Sequence, residues 1–258
     1  MSRPGLDADP LSLGAEWFNA LFEEIGIDAE VASLTAKSIG TGQIGENVRF
    51  VFDYARKGAD APSTLVGKFP SDSPESLMTA KLLGHYEREV KFYRTFPKVA
   101  GVITPAAFYT DYDADTNRFA LIMEDMAPSE QGDQLQGCSV AEAERALSAA
   151  AVLHAAHWND PSLDNYAWLQ GSELAPPPAL GPEAVSGLWQ GFKERYGKRL
   201  EAADILVGDA YAAALPAWSE GYDGPHALTH NDFRLDNMLF GAESAPKPLA
   251  VVDWQTAG

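Results

Sequence analysis

Between Val31 and Phe69 the sequence runs in short β-branched and aromatic segments broken by glycine: Lys37-Ser-Ile39, Val48-Arg-Phe-Val-Phe-Asp-Tyr54 and Ser63-Thr-Leu-Val-Gly-Lys-Phe69. Segments of this length and composition read as strands, and their close succession as antiparallel neighbours. The pattern changes on both sides. Leu13, Trp17, Phe18, Leu21, Phe22 and Ile25 recur at helical spacing, which predicts an amphipathic helix over 11–25. Leu82, Leu83, Tyr86, Val90 and Tyr93 do the same within Glu75 to Phe96, read as one long helix that Pro97 stops. Two more short strands are expected at 106–109 and 119–123.

After Met126 the composition turns helical and alanine-rich. Ser139 stands three residues before Glu142, the spacing of a capping box, and predicts a helix from Ala141 to Trp158. The proline-rich stretch Ala175 to Pro182 reads as a surface loop, followed by helices near 185–206 and 209–219 and by a strand pair around His230. With 258 residues and 46% hydrophobic content the chain can bury a proper core. The expected organisation is α+β: an antiparallel sheet with one long helix over residues 1–123, joined to a mostly helical unit over 124–258.

Nineteen basic against 37 acidic residues give a net charge of −18, which repels nucleic-acid phosphates and anionic lipid surfaces. Neither is expected as a partner. Cys138 is the single cysteine and no Cys/His cluster has metal-ligand spacing, so a reducing compartment is expected. No run of about 18 apolar residues and no basic stretch leading into an apolar one is present, which points to a soluble, cytoplasmic protein. His154 and His157 lie three apart on an apolar helix, but no third ligand sits near them in sequence, so core or capping roles are expected.

The chemistry-bearing signal is His230-x-Asp232-x-Arg234-x-x-Asn237, followed by Asp253 in Ala250-Val-Val-Asp-Trp254. An Asp/Asn-rich turn can merely satisfy its own backbone. Phosphoryl transfer, however, needs this set of groups. One carboxylate orients the acceptor hydroxyl and takes its proton, while a side-chain amide and a second carboxylate hold Mg²⁺ against phosphate oxygens. Asp232, Asn237 and Asp253 supply them, and Arg234 stands two residues after the first carboxylate, where protein kinases usually carry lysine.

Three further segments fit a nucleotide. Gly40-Thr-Gly42-Gln-Ile-Gly45 lies between two expected strands, where glycines could bring backbone N–H groups onto phosphates or simply serve a hairpin turn. A dinucleotide fingerprint would need a helix directly after the glycines, and Val48 to Tyr54 reads as a strand. Lys68, on the third strand, could reach the α- and β-phosphates if a carboxylate from the following helix held it. Glu89, beside the apolar stripe, is the first choice and Glu87 the alternative. Phe119 to Met126 is an apolar strand running into two acids, suited to a hinge whose backbone, from Met123 through Glu124 to Met126, meets an adenine edge.

Taken together, these segments resemble the aminoglycoside phosphotransferase and choline kinase superfamily, nearest its ecdysteroid kinase-like and general phosphotransferase branches. The likeness runs from Gly40-Thr-Gly-Gln43 to Val251-Val-Asp-Trp-Gln255. It departs from the protein-kinase pattern at Val48, one residue late after the third glycine. The resemblance implies a two-lobed protein-kinase-like fold and transfer of the γ-phosphoryl group of ATP or GTP, with Mg²⁺, to a hydroxyl of a small-molecule acceptor. It implies Asp232 as catalytic base with His230 bracing the loop, and Asn237 and Asp253 as metal ligands. Lys68 with Glu89 would then sit at the phosphates. Relatives of this kind continue well past the second metal-binding Asp, whereas five residues follow Asp253 here, so an incomplete C-terminal lobe with uncovered apolar helix faces is expected. A nucleotide-binding chain without catalysis, a fragment or regulatory pseudokinase, is the alternative.

Overall fold

The computed structural model describes residues 6, 9–40, 45–97, 103–169, 182–220, 224–242 and 245–258. A first helix, α1 (Ala15–Ile25), is followed by strands β1 (Ala29–Ile39), β2 (Gly45–Lys57) and β3 (Thr64–Pro70), helices α2 (Pro74–Leu83) and α3 (His85–Thr95), and strands β4 (Ala107–Asp113) and β5 (Arg118–Glu124). The five strands form one antiparallel sheet in the order β1-β2-β3-β5-β4. Both faces of this sheet are covered. On β5, Phe119, Leu121 and Met123 enter one core and Ala120 and Ile122 the other, the alternation that a strand's two-residue period imposes.

One face is sealed by α1, whose Trp17, Phe18, Leu21 and Phe22 form its buried stripe. Phe18 meets Phe50 and Phe52 of β2 with ring centroids 4.9 and 4.8 Å apart. The opposite face packs on α3 and on the second half of the chain, joining Tyr86, Val90 and Phe92 to Leu153, Leu228, Val251 and Trp254.

The single helix expected over 75–96 is two helices. Gly84 adopts φ 66°, ψ 27°, and its N–H caps α2 by donating to the Ala80 and Lys81 carbonyls. A left-handed residue ends a helix because the hydrogen-bond ladder cannot continue through it, and glycine takes that conformation without Cβ strain. The chain then restarts as α3 in a new direction.

The second half contains a short strand β6 (Glu130–Gln131), helices α4 (Val140–Ala156), α5 (Pro182–Tyr196) and α6 (Ala202–Glu220), and the hairpin β7 (Met238–Phe240) with β8 (Leu249–Val251). The capping box forms as the sequence predicts: Ser139 Oγ accepts from Glu142 N–H, and the Glu142 carboxylate accepts from Ser139 N–H. The break between α5 and α6 falls at Gly197–Arg199, earlier than expected. β6, β7 and β8 make a three-stranded sheet in that order. Leu188 and Phe192 on α5 and Leu206, Val207, Tyr211 and Trp218 on α6 are exposed. Among the described residues no helix is long and apolar enough to cross a membrane.

Candidate active site

Lys68 is brought to the centre of the molecule by β3, which pairs with β2 on one side and β5 on the other. Its ammonium lies 2.9 and 2.7 Å from the two Glu89 carboxylate oxygens and 2.6 Å from Asp253 Oδ1. The geometry resolves the choice left open between the two acids of α3: Glu89 reaches Lys68, while Glu87 turns to Lys91, 2.7 Å away. Glu89, 1% exposed, also accepts a hydrogen bond from the Trp254 backbone.

Burial alone would lower the Lys68 pKa, but the two carboxylates raise it above its ordinary value, so the ammonium is firmly charged. Burial pushes Glu89 up, opposed by Lys68. Burial also pushes Asp253 up, but the Lys68 ammonium overrides it and holds this carboxyl below its usual range. One cation thus serves two acids, and the less buried of them keeps its charge more easily.

The His230 loop is held rigidly. His230, 2% exposed, has its ring nitrogens facing the Val252 carbonyl (Nε2, 3.0 Å) and the Asp232 N–H (Nδ1, 3.2 Å). A carbonyl can only accept and an amide N–H only donate, so Nε2 carries the proton and Nδ1 accepts. Burial keeps the imidazole neutral by lowering its pKa. Thr256 Oγ1–H donates to the His230 carbonyl (2.6 Å), Asn231 stands at φ 61° with Nδ2 on the Thr256 carbonyl, and Thr229 and Gly258 exchange two backbone hydrogen bonds. The loop is therefore braced by the segment that follows Asp253.

Within this frame Asn237 Nδ2 donates to the Asp232 carbonyl (3.0 Å) and to Asp232 Oδ2 (2.8 Å). The Asn237 carbonyl accepts from Val252 N–H (2.9 Å), which ties it to the residue before Asp253. Asp253 itself adopts φ 69°, ψ 57° and receives Gln255 Nε2–H on Oδ2 at 3.2 Å. Arg234 approaches Asp232 Oδ2 at 3.4 Å but is held more closely by Asp236, at 2.7 Å.

The remaining positions lie on or beside the strands next to Lys68. Gly40 ends β1 in the left-handed region, φ 73°. Gly45 opens β2 so close to β3 that a Cβ there would lie 2.8 Å from the Phe69 carbonyl oxygen and 3.6 Å from Lys68 Cε. Gly42 lies outside the described residues. At the other side, Met123 and Met126 are buried at the end of β5 and just beyond it, and Glu124 between them is half-buried. His157 caps the end of α4 with Nδ1 facing Asp160 Oδ2 at 2.9 Å. Among the described residues, no group of three or more His, Cys, Asp or Glu is placed to hold a metal ion.

Sequence reasoning passed over several residues that organise the site. Gln255 and Thr256 follow the motif and look like ordinary polar residues. Lys247, in Ala245-Pro-Lys-Pro248, reads as a solvated turn lysine, and His85 carries no motif signal. The i, i+4 step from His85 to Glu89 would have placed that histidine on the same face of the helix as Glu89.

A five-stranded antiparallel sheet with its helix-borne carboxylate, set over a mainly helical half that carries the His230 loop, defines a two-lobed protein-kinase-like fold. The chain belongs to the phosphotransferase enzyme family (APH), whose profile matches residues 47–258. The GDP and kanamycin complex of APH(2")-IIia has a similar fold, with a TM-score of 0.52 at 17% identity over 94% of this chain and 73% of that one. The GDP complex of wild-type aminoglycoside 2'-phosphotransferase-IIIa is similar in the same way, with a TM-score of 0.51 at 18% identity over 94% and 73%. No curated protein sequence gave a significant match.

Proposed function

We propose that this protein is a Mg²⁺-dependent small-molecule kinase that transfers the γ-phosphoryl group of ATP or GTP to a hydroxyl of a small acceptor. The observation that carries the reading is the convergence of Lys68, Glu89 and Asp253 beside the Asp232–Asn237 pair, drawn from both halves of the chain. GDP occupies both solved structures named above, and kanamycin one of them, which favours a nucleoside phosphate and a polyhydroxylated acceptor class.

In this reading Asp232 accepts the proton of the acceptor hydroxyl as its oxygen attacks the γ-phosphorus, and the nucleoside diphosphate departs on the opposite side. Asn237 Nδ2 holds the carboxylate in place, and neutral His230 fixes the loop. Lys68, oriented by Glu89, neutralises the α- and β-phosphates, with the Gly40, Gly42 and Gly45 loop over them. The backbone from Met123 through Glu124 to Met126 meets the base, and this hinge divides the lobes at 123/124. Arg234, whose guanidinium is half-exposed at the cleft, lies next to the transferred group.

The oxygens fit magnesium. Asn237 commits its Nδ2 to Asp232, leaving Oδ1 for an ion, and Asp253 offers a carboxylate held in its charged form. Two such hard ligands suffice, because magnesium completes its shell with water and phosphate oxygens. Bound there, the ion would neutralise charge on the phosphate oxygens. The exposed single cysteine and the acidic surface suit a reducing, nucleotide-rich cytoplasm.

Thermal melting with and without Mg·ATP and Mg·GTP tests the reading, since a ligand specific for the folded state raises the midpoint. A Mg²⁺-dependent rise that vanishes in Asp253→Ala, followed by nucleoside diphosphate release with a hydroxyl acceptor, is expected. A well-folded chain with no shift overturns it. A shift without product from any acceptor favours the nucleotide-binding alternative.

A further inference from the structure

Two consecutive carboxylates at the end of β5 are tied in opposite directions. Asp125 faces the sheet: Arg49 of β2 donates from Nη2 to Asp125 Oδ1 at 3.0 Å and brings Nε within 2.7 Å of Oδ2. Glu124 faces the other half of the chain. Its Oε2 accepts from Lys247 Nζ at 3.0 Å and from Ala106 N–H at 3.1 Å, and Lys247 Nζ also donates to the Thr104 carbonyl at 2.6 Å. Lys247 precedes β8, and the next carbonyl, that of Pro248, accepts from Gly241 N–H and from Arg145 of α4. The ammonium is thus fixed to the helical half and closes a ring with β5 and the segment leading into β4.

Two lysine side chains among the described residues tie the lobes together. At the front Lys68 holds Asp253, and at the back Lys247 holds the Thr104 carbonyl together with Glu124 at the hinge. If Lys68 turns to phosphates and Asp253 to a metal ion, the front tie is exchanged for ligand contacts. The back tie stays, because its partners bond each other and the Thr104 and Ala106 backbone and make no contact with Lys68, Glu89 or Asp253. Lys247 is only 17% exposed in its side chain, so its charge-assisted bonds are shielded from water and hold better than an exposed ion pair.

We propose that Lys247 is a positioning residue of the nucleotide cleft: its tie to Glu124 and Thr104 sets the angle between the lobes at the hinge, and with it how long the nucleotide stays bound. This rests on the kinase reading above. Removing the ammonium leaves Glu124 with one donor fewer and frees the hinge to open, which acts on release more than on encounter.

The test uses the full chain with Lys247→Met and Lys247→Arg. Dissociation of fluorescent mant-ATP and mant-GTP, chased with unlabelled nucleotide, is followed beside amide hydrogen exchange over 104–106 and 124–127. The Met variant is expected to release nucleotide about tenfold faster, with association little changed, and to exchange faster in both segments. Arginine should restore both. Release and exchange equal to wild type in the Met variant overturn the proposal, as does faster release that arginine fails to restore. A wild-type chain that binds neither nucleotide overturns the kinase reading and the cleft role together; the exchange rates then report on the tie alone.

Discussion

Phe92 and Trp254 lie face to face, ring centroids 3.9 Å apart and planes 3° from parallel, with both side chains fully buried. This contact joins the helix that carries Glu89 to the turn that carries Asp253. The Trp254 indole N–H donates to the Val251 carbonyl at 3.1 Å, so the ring has a single orientation and its stacking partner fixes where Asp253 sits. Trp254→Ala is expected to cost about 3–5 kcal/mol of stability, as large aromatic deletions in cores do. Urea unfolding monitored by circular dichroism measures it; a loss below about 1 kcal/mol would show that the stack is dispensable.

Asp232→Asn keeps the shape of the loop and removes the carboxylate that the proposed reaction uses as proton acceptor. Turnover is expected to fall by about 10²–10⁴-fold, the usual range for a general base. The Mg·nucleotide melting shift should persist, because Lys68, Asn237 and Asp253 are intact. Comparable turnover in wild type and variant would remove Asp232 from the chemistry.

Lys68→Met leaves the Glu89 and Asp253 carboxylates sharing a site without their cation. Breaking such a cluster by deleting one member costs about 3–5 kcal/mol. Adding Glu89→Gln should return part of that loss, since the second acid is then neutral. A double-mutant cycle by chemical denaturation decides: additive losses would mean that the three groups are not coupled.

His85 opens α3, is buried, and has no hydrogen-bond partner on Nδ1. Burial and the Arg88 charge push its pKa down to about 4 from 6.5. The folded chain thus refuses a proton that the unfolded chain accepts between these values. Stability from the neutral ring is fully present above about pH 6.5 and lost as pH falls toward 4, by up to about 3 kcal/mol. His85→Gln should flatten that limb of the stability profile. An unchanged slope between pH 6.5 and 4 would show that another group sets it.

The fold was largely legible because its two halves have different hydrophobic periods and because glycine and proline mark the turns. Glu89 could be chosen over Glu87 from its place beside Val90 on the apolar stripe, and the buried Glu89 carboxylate accordingly points inward. The break at Gly84 was not legible: apolar residues continue across it at helical spacing, and nothing local distinguishes a tolerated helical glycine from one that turns left-handed. Lys247 was hidden for a different reason. A lysine between two prolines normally points to water, and only tertiary packing gives it Glu124 and the Thr104 carbonyl as partners.

Lys68 and Asp253 touch although they stand 185 positions apart in the chain. Loop closure over that span costs on the order of 5 kcal/mol of chain entropy, which must be met by contacts made along the way. The Lys68–Glu89 pair, 21 residues apart, can form early from a local sheet and helix. The second acid can join only when β8 has docked. The cation and its first acid thus need no residue beyond α3 to meet, whereas the second acid needs the other half of the chain. A chain that stops short of β8 contains both members of the local pair and lacks the third.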